Sequence, residues 1–356
     1  MRIMFLVDSL NAGGAGRVVS ELASYLSEHG ESVLVTTMSV NEVSYPLNSM
    51  VKHIPLMNLQ QKNQMNVFQR AIALRRLCES EKIEILISFL TEVNIYASMA
   101  NVFSNYKTIV CERGDPRYNP PLKKLRIARD LLYNCADGFV YQSESARNYF
   151  VGKARKKGLV IANPLSSCVP EPYRGSKEKR IVSVGRLQRV KNYHMAIDAF
   201  SLISNDFPEY TYEIYGEGPC FDELEKLIEE KKLKDKVVLK GQTNNIYDEI
   251  KTASLFILSS DHEGMPNALI EAMALGIPAI STDFPSGTAR TIIDDGKSGF
   301  LVPVNDRYML AEKIKVLLSD EMLIIRFSEQ ATSIRDRFDL DAICKQWIDY
   351  IKTVCN

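Results

Sequence analysis

A chain of 356 residues, 46% apolar and 25% charged, has room for about two ordinary domains and a globular composition, which excludes disordered, collagenous and coiled-coil classes. Its 44 Lys and Arg balance 44 Asp and Glu, so no overall positive field points to nucleic acid. The seven cysteines are scattered, odd in number and free of any Cys-x-x-Cys pair, so they read as reduced thiols rather than a disulfide framework or a zinc site.

The apolar start MRIMFLV meets Asp8 too soon for a signal-peptide core, and no apolar run approaches ~18 residues, so a cytoplasmic protein without a membrane span is expected. The strand RIMFLVD leads into DSLNAGGAGRVV (8–19), a Gly-rich turn opening a helix around Arg17–His29. Its glycines let backbone amides approach an anion at the helix start, although a tight turn alone also demands them. A dinucleotide site fits poorly, because the second strand ends VTTMS without an acid for a ribose and the turn lacks the G-x-G-x-x-G register. Strands follow at SVLVTTM, IEILISFL, TIVCER, GFVYQS and LVIANP, with a helix around Val67–Glu79, an alternation that predicts a parallel sheet covered on both faces.

Residues 1–170 hold 20 Lys and Arg against 14 Asp and Glu, an excess concentrated in PPLKKLRIARDLLY (120–133) and GKARKKG (152–158). Each patch reads either as a solvated face or as a contact for anionic headgroups or a pyrophosphate-bearing acceptor, with Leu122, Leu125, Ile127, Leu131 and Leu132 among the cations.

SSCVPEPYRGSKEKR (166–180) breaks the rhythm and reads as a linker; domains of 1–168 and 169–339 are expected, with a final helix over about 340–356 returning to the first. Strands resume at IVSVG, YEIYG, VVLKG, LFILSS, PAIST and GFLVP. Loops at the carboxyl ends of such strands hold ligands. After IVSVG stand Arg186, a planar fork, and Lys191, a point charge, together able to neutralise a diphosphate or else an exposed surface couple. YGEGP places Gly216, Gly218 and Pro219 in a tight turn that could border a flat base or ribose. In DHEGMPNALIEAMALGIP (261–278), Pro266 suits a helix start and Gly276 its close, so Glu263 precedes the helix and Glu271 lies inside it. The amides of Gly264 to Ala268 would form an anion site, while carboxylates beside a phosphate are better placed to hold sugar hydroxyls.

The order and spacing of AGGAGRVVSELASYLSEHGESVLV, ADGFVYQSES, IANP, VGRLQRVKN, YGEGP and SSDHEGMPNALIEAMALGIPAISTDFPSGTARTIIDDGKSGFLVP resemble family 4 of the retaining glycosyltransferases over nearly the whole chain. The resemblance implies a GT-B fold: two facing Rossmann-like parallel-sheet domains, acceptor-binding then nucleotide-sugar-binding, with a cleft between them and a C-terminal helix crossing back. It implies that Arg186 and Lys191 bind the donor diphosphate, Glu263 contacts the transferred sugar and Glu271 holds the ribose. Gly264, Met265, Pro266, Asn267 and Ala268 would line the phosphate site, Gly216, Gly218 and Pro219 would border the nucleotide, and Gly13 and Gly14 would approach the phosphates or acceptor.

The family uses neither metal nor other cofactor, consistent with an Arg/Lys pair supplying the charge a divalent ion supplies elsewhere. One departure is that Glu112, Arg113 or Asp115 stands where many relatives have a first-domain histidine, and Arg113 is taken as substrate-binding. ERGDPR is similar to members that build bacterial surface glycans, such as lipopolysaccharide or capsule, on polyprenyl-diphosphate carriers at the inner membrane face. The expected reaction moves a sugar from a UDP-sugar such as UDP-GlcNAc, UDP-GalNAc or UDP-Gal to a saccharide acceptor with retention. The rivals are a sugar-nucleotide epimerase of the same fold and a non-catalytic sugar-nucleotide-binding protein.

Overall fold

The computed structural model describes residues 1–11, 13–38, 44–58 and 64–356. Two compact units emerge, one from Met1–Ser167 together with Phe338–Asn356 and the other from Cys168–Arg337.

The described strands of the first unit are β1 (Arg2–Val7), β2 (Ser32–Thr37), β3 (Lys52–His53), β4 (Ile85–Phe89), β5 (Lys107–Glu112), β6 (Gly138–Tyr141) and β7 (Gly158–Val160). They pair in the order β3-β2-β1-β4-β5-β6-β7, and every pairing is parallel. Runs such as IMFLV in β1 and ILISF in β4 are buried throughout, because helices cover both faces and leave no solvated side to alternate with. β3 is only two residues long and was not foreseen, and LVIANP leaves the sheet after Val160.

In the second unit the described strands are β8 (Glu178–Val184), β9 (Thr211–Tyr215), β10 (Val237–Gly241), β11 (Ala253–Leu258), β12 (Ala279–Thr282) and β13 (Gly299–Val302), in the order β10-β9-β8-β11-β12-β13. Here too every pairing is parallel. The strand order reverses direction between β8 and β11, so the loops leaving these two neighbours diverge and open a crevice at their carboxyl ends.

The final helix, Leu340–Cys355, packs on the first unit. Ile343, Cys344, Trp347, Tyr350 and Ile351 join a core with Ile3, Phe5, Ile87 and Phe89. Asp339 caps its start by accepting from the Ala342 amide at 2.8 Å. The Tyr350 hydroxyl donates to the Lys157 carbonyl at 2.6 Å and accepts from the Phe139 amide at 2.7 Å, fixing the helix against β6 and β7.

Candidate functional site

At the carboxyl ends of β8 and β11 two of the expected charged residues, Lys191 and Glu263, come together. After β8 the chain passes Gly185 and Arg186 into a short 3-10 turn, Arg189–Lys191. Asn192 then takes a left-handed conformation (φ 47°), which its short polar side chain tolerates, and caps the helix Tyr193–Ile203 by accepting from the Met195 amide. The same side chain donates to Asp261 Oδ1 at 2.7 Å and to Asn305 Oδ1 at 2.6 Å. The Asp261 amide donates to the Val190 carbonyl, and the Ser259 hydroxyl to the Lys191 carbonyl. These bonds lace the two loops together and bring Lys191 Nζ to 2.5 Å from Glu263 Oε1, with the Ser260 hydroxyl donating to the same oxygen at 2.8 Å.

Both side chains of this ion pair are mostly buried, 21% and 16% exposed. Lys191 and Glu263 therefore meet each other directly, an arrangement the sequence reading did not include. Arg186 is exposed and makes no ion pair among the described residues, so it is not drawn into the pair.

Glu263 leads into the helix Asn267–Ala274, with Pro266 at its cap and Gly276 (φ 74°) closing it. The segment ahead of this helix is pinned by the Thr288 hydroxyl donating to the Gly264 carbonyl at 2.6 Å and by Thr282 Oγ1 donating to the Ser260 carbonyl at 2.5 Å. Gly264, Met265, Asn267 and Ala268 are partly exposed, and the first amides of a helix lack intrahelical acceptors. Glu271, one turn into the helix, is buried to 9% exposure rather than lying on a surface face.

Gly216 and Gly218 have a local structural cause. A Cβ at Gly216 would sit 2.1 Å from the Gly185 carbonyl oxygen, and one at Gly218 would sit 2.4 Å from that of Leu187. The loops after β8 and β9 are zipped by Gly185 and Leu187 amides donating to Tyr215 and Glu217 carbonyls, both at 2.9 Å. These glycines are thus required by the neighbouring loop, which is the one that positions Arg186 and Lys191. Pro219 stands in the same exposed turn.

In the first unit, Gly13 and Gly14 are exposed at the start of the helix Gly14–Glu28, and the Gly13 amide donates to the Tyr45 hydroxyl at 3.2 Å; Ala12 lies outside the described residues. Of the three residues standing near the usual histidine position, Glu112 is 1% exposed and accepts from Thr91 at 2.7 Å and Tyr133 at 2.9 Å. Burial raises its pKa, opposed by Arg129, whose guanidinium is 3.9 Å away. Asp115 is 2% exposed and accepts from the Arg117 side chain and amide. Both acids anchor the segment that follows β5, which leaves Arg113 as the partly exposed member.

Among the described residues no group of His, Cys, Asp and Glu could hold a metal, and no helix is long and apolar enough to cross a membrane. Asn192, Ser260 and Thr288 were missed in the sequence, since nothing in their local patterns distinguishes a loop-lacing polar residue from an ordinary one.

Residues 171–334 match the family described as Glycosyl transferases group 1. Over the whole chain, and 99% of its partner, the sequence is 28% identical to a Campylobacter jejuni GalNAc-alpha-(1->4)-GalNAc-alpha-(1->3)-diNAcBac-PP-undecaprenol alpha-1,4-N-acetyl-D-galactosaminyltransferase. Among solved structures, Anabaena HepE in complex with UDP superposes with a TM-score of 0.81 at 17% identity, covering 99% of this chain and all of that one. Sucrose-phosphate synthase from Thermosynechococcus elongatus gives a TM-score of 0.85 at 18% identity, covering 99% of both chains.

Proposed function

We propose that this chain, whose residues 171–334 match the group 1 glycosyltransferases, is a retaining, metal-independent enzyme of family 4 with the GT-B fold, and that it transfers an N-acetylhexosamine or hexose from a UDP-sugar to a lipid-linked saccharide in bacterial surface-glycan synthesis. The observation that carries the reading is the Lys191–Glu263 pair set beside a helix start at the β8/β11 crevice. The name of the Campylobacter relative supports the acceptor class, and the UDP complex of HepE supports the nucleotide.

In this reading the donor's C1–O bond breaks as an acceptor oxygen bonds to C1 on the same face. The departing diphosphate accumulates negative charge, met by Lys191, Arg186 and the first amides of the helix Asn267–Ala274. A phosphate oxygen of the leaving group takes the acceptor's hydroxyl proton. Glu263 holds Lys191 in place before the donor arrives and grips the transferred sugar, while Glu271 holds ribose hydroxyls. Incubating the enzyme with a panel of sugar nucleotides and a lipid-linked acceptor extract, read by mass spectrometry, tests it. Addition of one hexosamine or hexose mass is expected; no mass gain with any nucleotide sugar would overturn it.

A membrane-facing surface accompanies the acceptor class. The helix Lys123–Tyr133 buries only Arg129 and Tyr133, yet Leu122, Leu125, Ile127 and Leu131 are 66%, 46%, 53% and 66% exposed beside Lys123 and Lys124. Lys153, in the second basic patch, donates to the Asn134 carbonyl just past this helix, so the two patches adjoin. Apolar side chains framed by cations suit the interface of an anionic bilayer. Flotation with vesicles containing phosphatidylglycerol should recover the wild-type protein but not a variant with all four apolar residues changed to Ser; equal recovery of both would exclude this surface.

A further inference from the structure

We propose that Arg113, Gln142 and Asn163 form a second anion site, wholly within the first unit, which takes a phosphate or carboxylate oxygen of the acceptor; this rests on the glycosyl-transfer reading above. The three residues directly follow β5 and β6 and come shortly after β7, three neighbours in the sheet, and therefore stand at adjacent carboxyl ends where parallel sheets bind ligands. The Arg113 guanidinium lies over the Phe89 ring, 5.0 Å from its centroid, at the end of the next strand, β4. Arg113 Nη2 donates to Asn163 Oδ1, and Gln142 Nε2 donates to the same oxygen at 2.8 Å.

Two buried polar atoms remain over: Arg113 Nη1, a donor, and Gln142 Oε1, an acceptor, neither with a hydrogen-bond partner among the described residues. Gln142 is 4% and Asn163 2% exposed, while Arg113 keeps part of its surface open. Such atoms have given up water without gaining a partner, a penalty that grows where one bears charge.

The charge is the deciding feature. Arg113 has no carboxylate partner among the described residues, and burial pushes its pKa down to about 10. Arg129, on the far side of β5, meets Asp130 at 2.7 Å and Glu112 at 3.9 Å; burial alone would lower its pKa, and these acids overcome that and raise it. A guanidinium that served only to support the fold would have its charge met by carboxylates, as that of Arg129 is. An anionic oxygen on Nη1, flanked by a hydroxyl donating to Gln142 Oε1, supplies both missing partners and the missing charge. A carrier-lipid diphosphate and an acidic sugar both offer that chemistry.

The test titrates full-length protein saturated with UDP, separately with inorganic pyrophosphate and with glucuronate, by calorimetry. One of the two should bind, pyrophosphate pointing to the carrier and glucuronate to an acidic sugar. Arg113→Gln should weaken that binding at least tenfold, about 1.4 kcal/mol, and Arg113→Lys by less. Gln142→Glu leaves Arg113 in place but gives it an internal counter-charge, so it should abolish anion binding while raising the melting temperature. Absence of binding by either anion, or unchanged affinity in Arg113→Gln or in Gln142→Glu, would overturn the proposal. Should wild type fail to bind UDP, the donor reading falls, yet the difference between wild type and Arg113→Gln in the same anion titration still decides this one.

Discussion

Lys191 and Glu263 neutralise one another at 2.5 Å, and each is only partly reachable by water, so the pair is a preorganised unit rather than two independent ligand contacts. Lys191→Met should lower turnover about 10²–10³-fold, the scale of removing one charge-stabilising donor from a reacting site. It should also weaken UDP binding, measured by steady-state kinetics and titration; a loss under threefold would contradict the assignment. Glu263→Gln should retain UDP affinity better than Lys191→Met while losing turnover, since it keeps an acceptor for Lys191 but not the charge. Gly216→Ala tests a different cause: a Cβ 2.1 Å from a backbone oxygen forces apart the loops after β8 and β9. A fall of about 1–3 kcal/mol in stability, with poorer UDP binding, is expected from urea denaturation and titration. The sequence exposed the charged residues through their position after apolar strands. It could not show that Lys191 pairs with Glu263, because that meeting depends on Asn192, Ser259 and Asp261 lacing two loops far apart in the chain.

Among the elements, the long strands were legible because they are buried on both faces and read as unbroken apolar runs. β3, the pair Lys52–His53, has no such signature and forms only because Leu34 and Val35 of β2 offer it a register. Burial lowers the His53 pKa from its ordinary value, so folding favours the neutral ring. The unfolded chain takes up that proton more readily, and the stability involved is present above about pH 6.5 and lost as pH falls through the folded value. Unfolding free energies compared at about pH 7.5 and about pH 5 should fall more in wild type than in His53→Gln; parallel declines would refute the account. The helix Lys123–Tyr133 also departs from simple patterning, since it buries an arginine and exposes leucines. Arg129→Met leaves Glu112 buried without its cation and should cost about 3–5 kcal/mol in urea denaturation. A loss below about 1 kcal/mol would mean that Glu112 is held by Thr91 and Tyr133 alone.

At the scale of the whole molecule, the last helix belongs to the first unit, and its apolar spacing made that return legible from sequence. Its consequence for the site was not legible: Trp347 stacks on Phe89 at 5.8 Å, and Phe89 in turn lies beneath Arg113. The C-terminal helix thereby supports Arg113, while the residues proposed to hold the nucleotide lie entirely within the other unit. Both proposed sites rest on one rule, that loops at the carboxyl ends of parallel strands hold ligands. The central claim is sugar transfer with retention from a UDP-sugar. Its most direct test is the anomeric configuration of the new linkage, read by NMR on product formed from an α-configured UDP-sugar and a lipid-linked acceptor. An α-linkage is predicted, and a β-linkage would contradict the account.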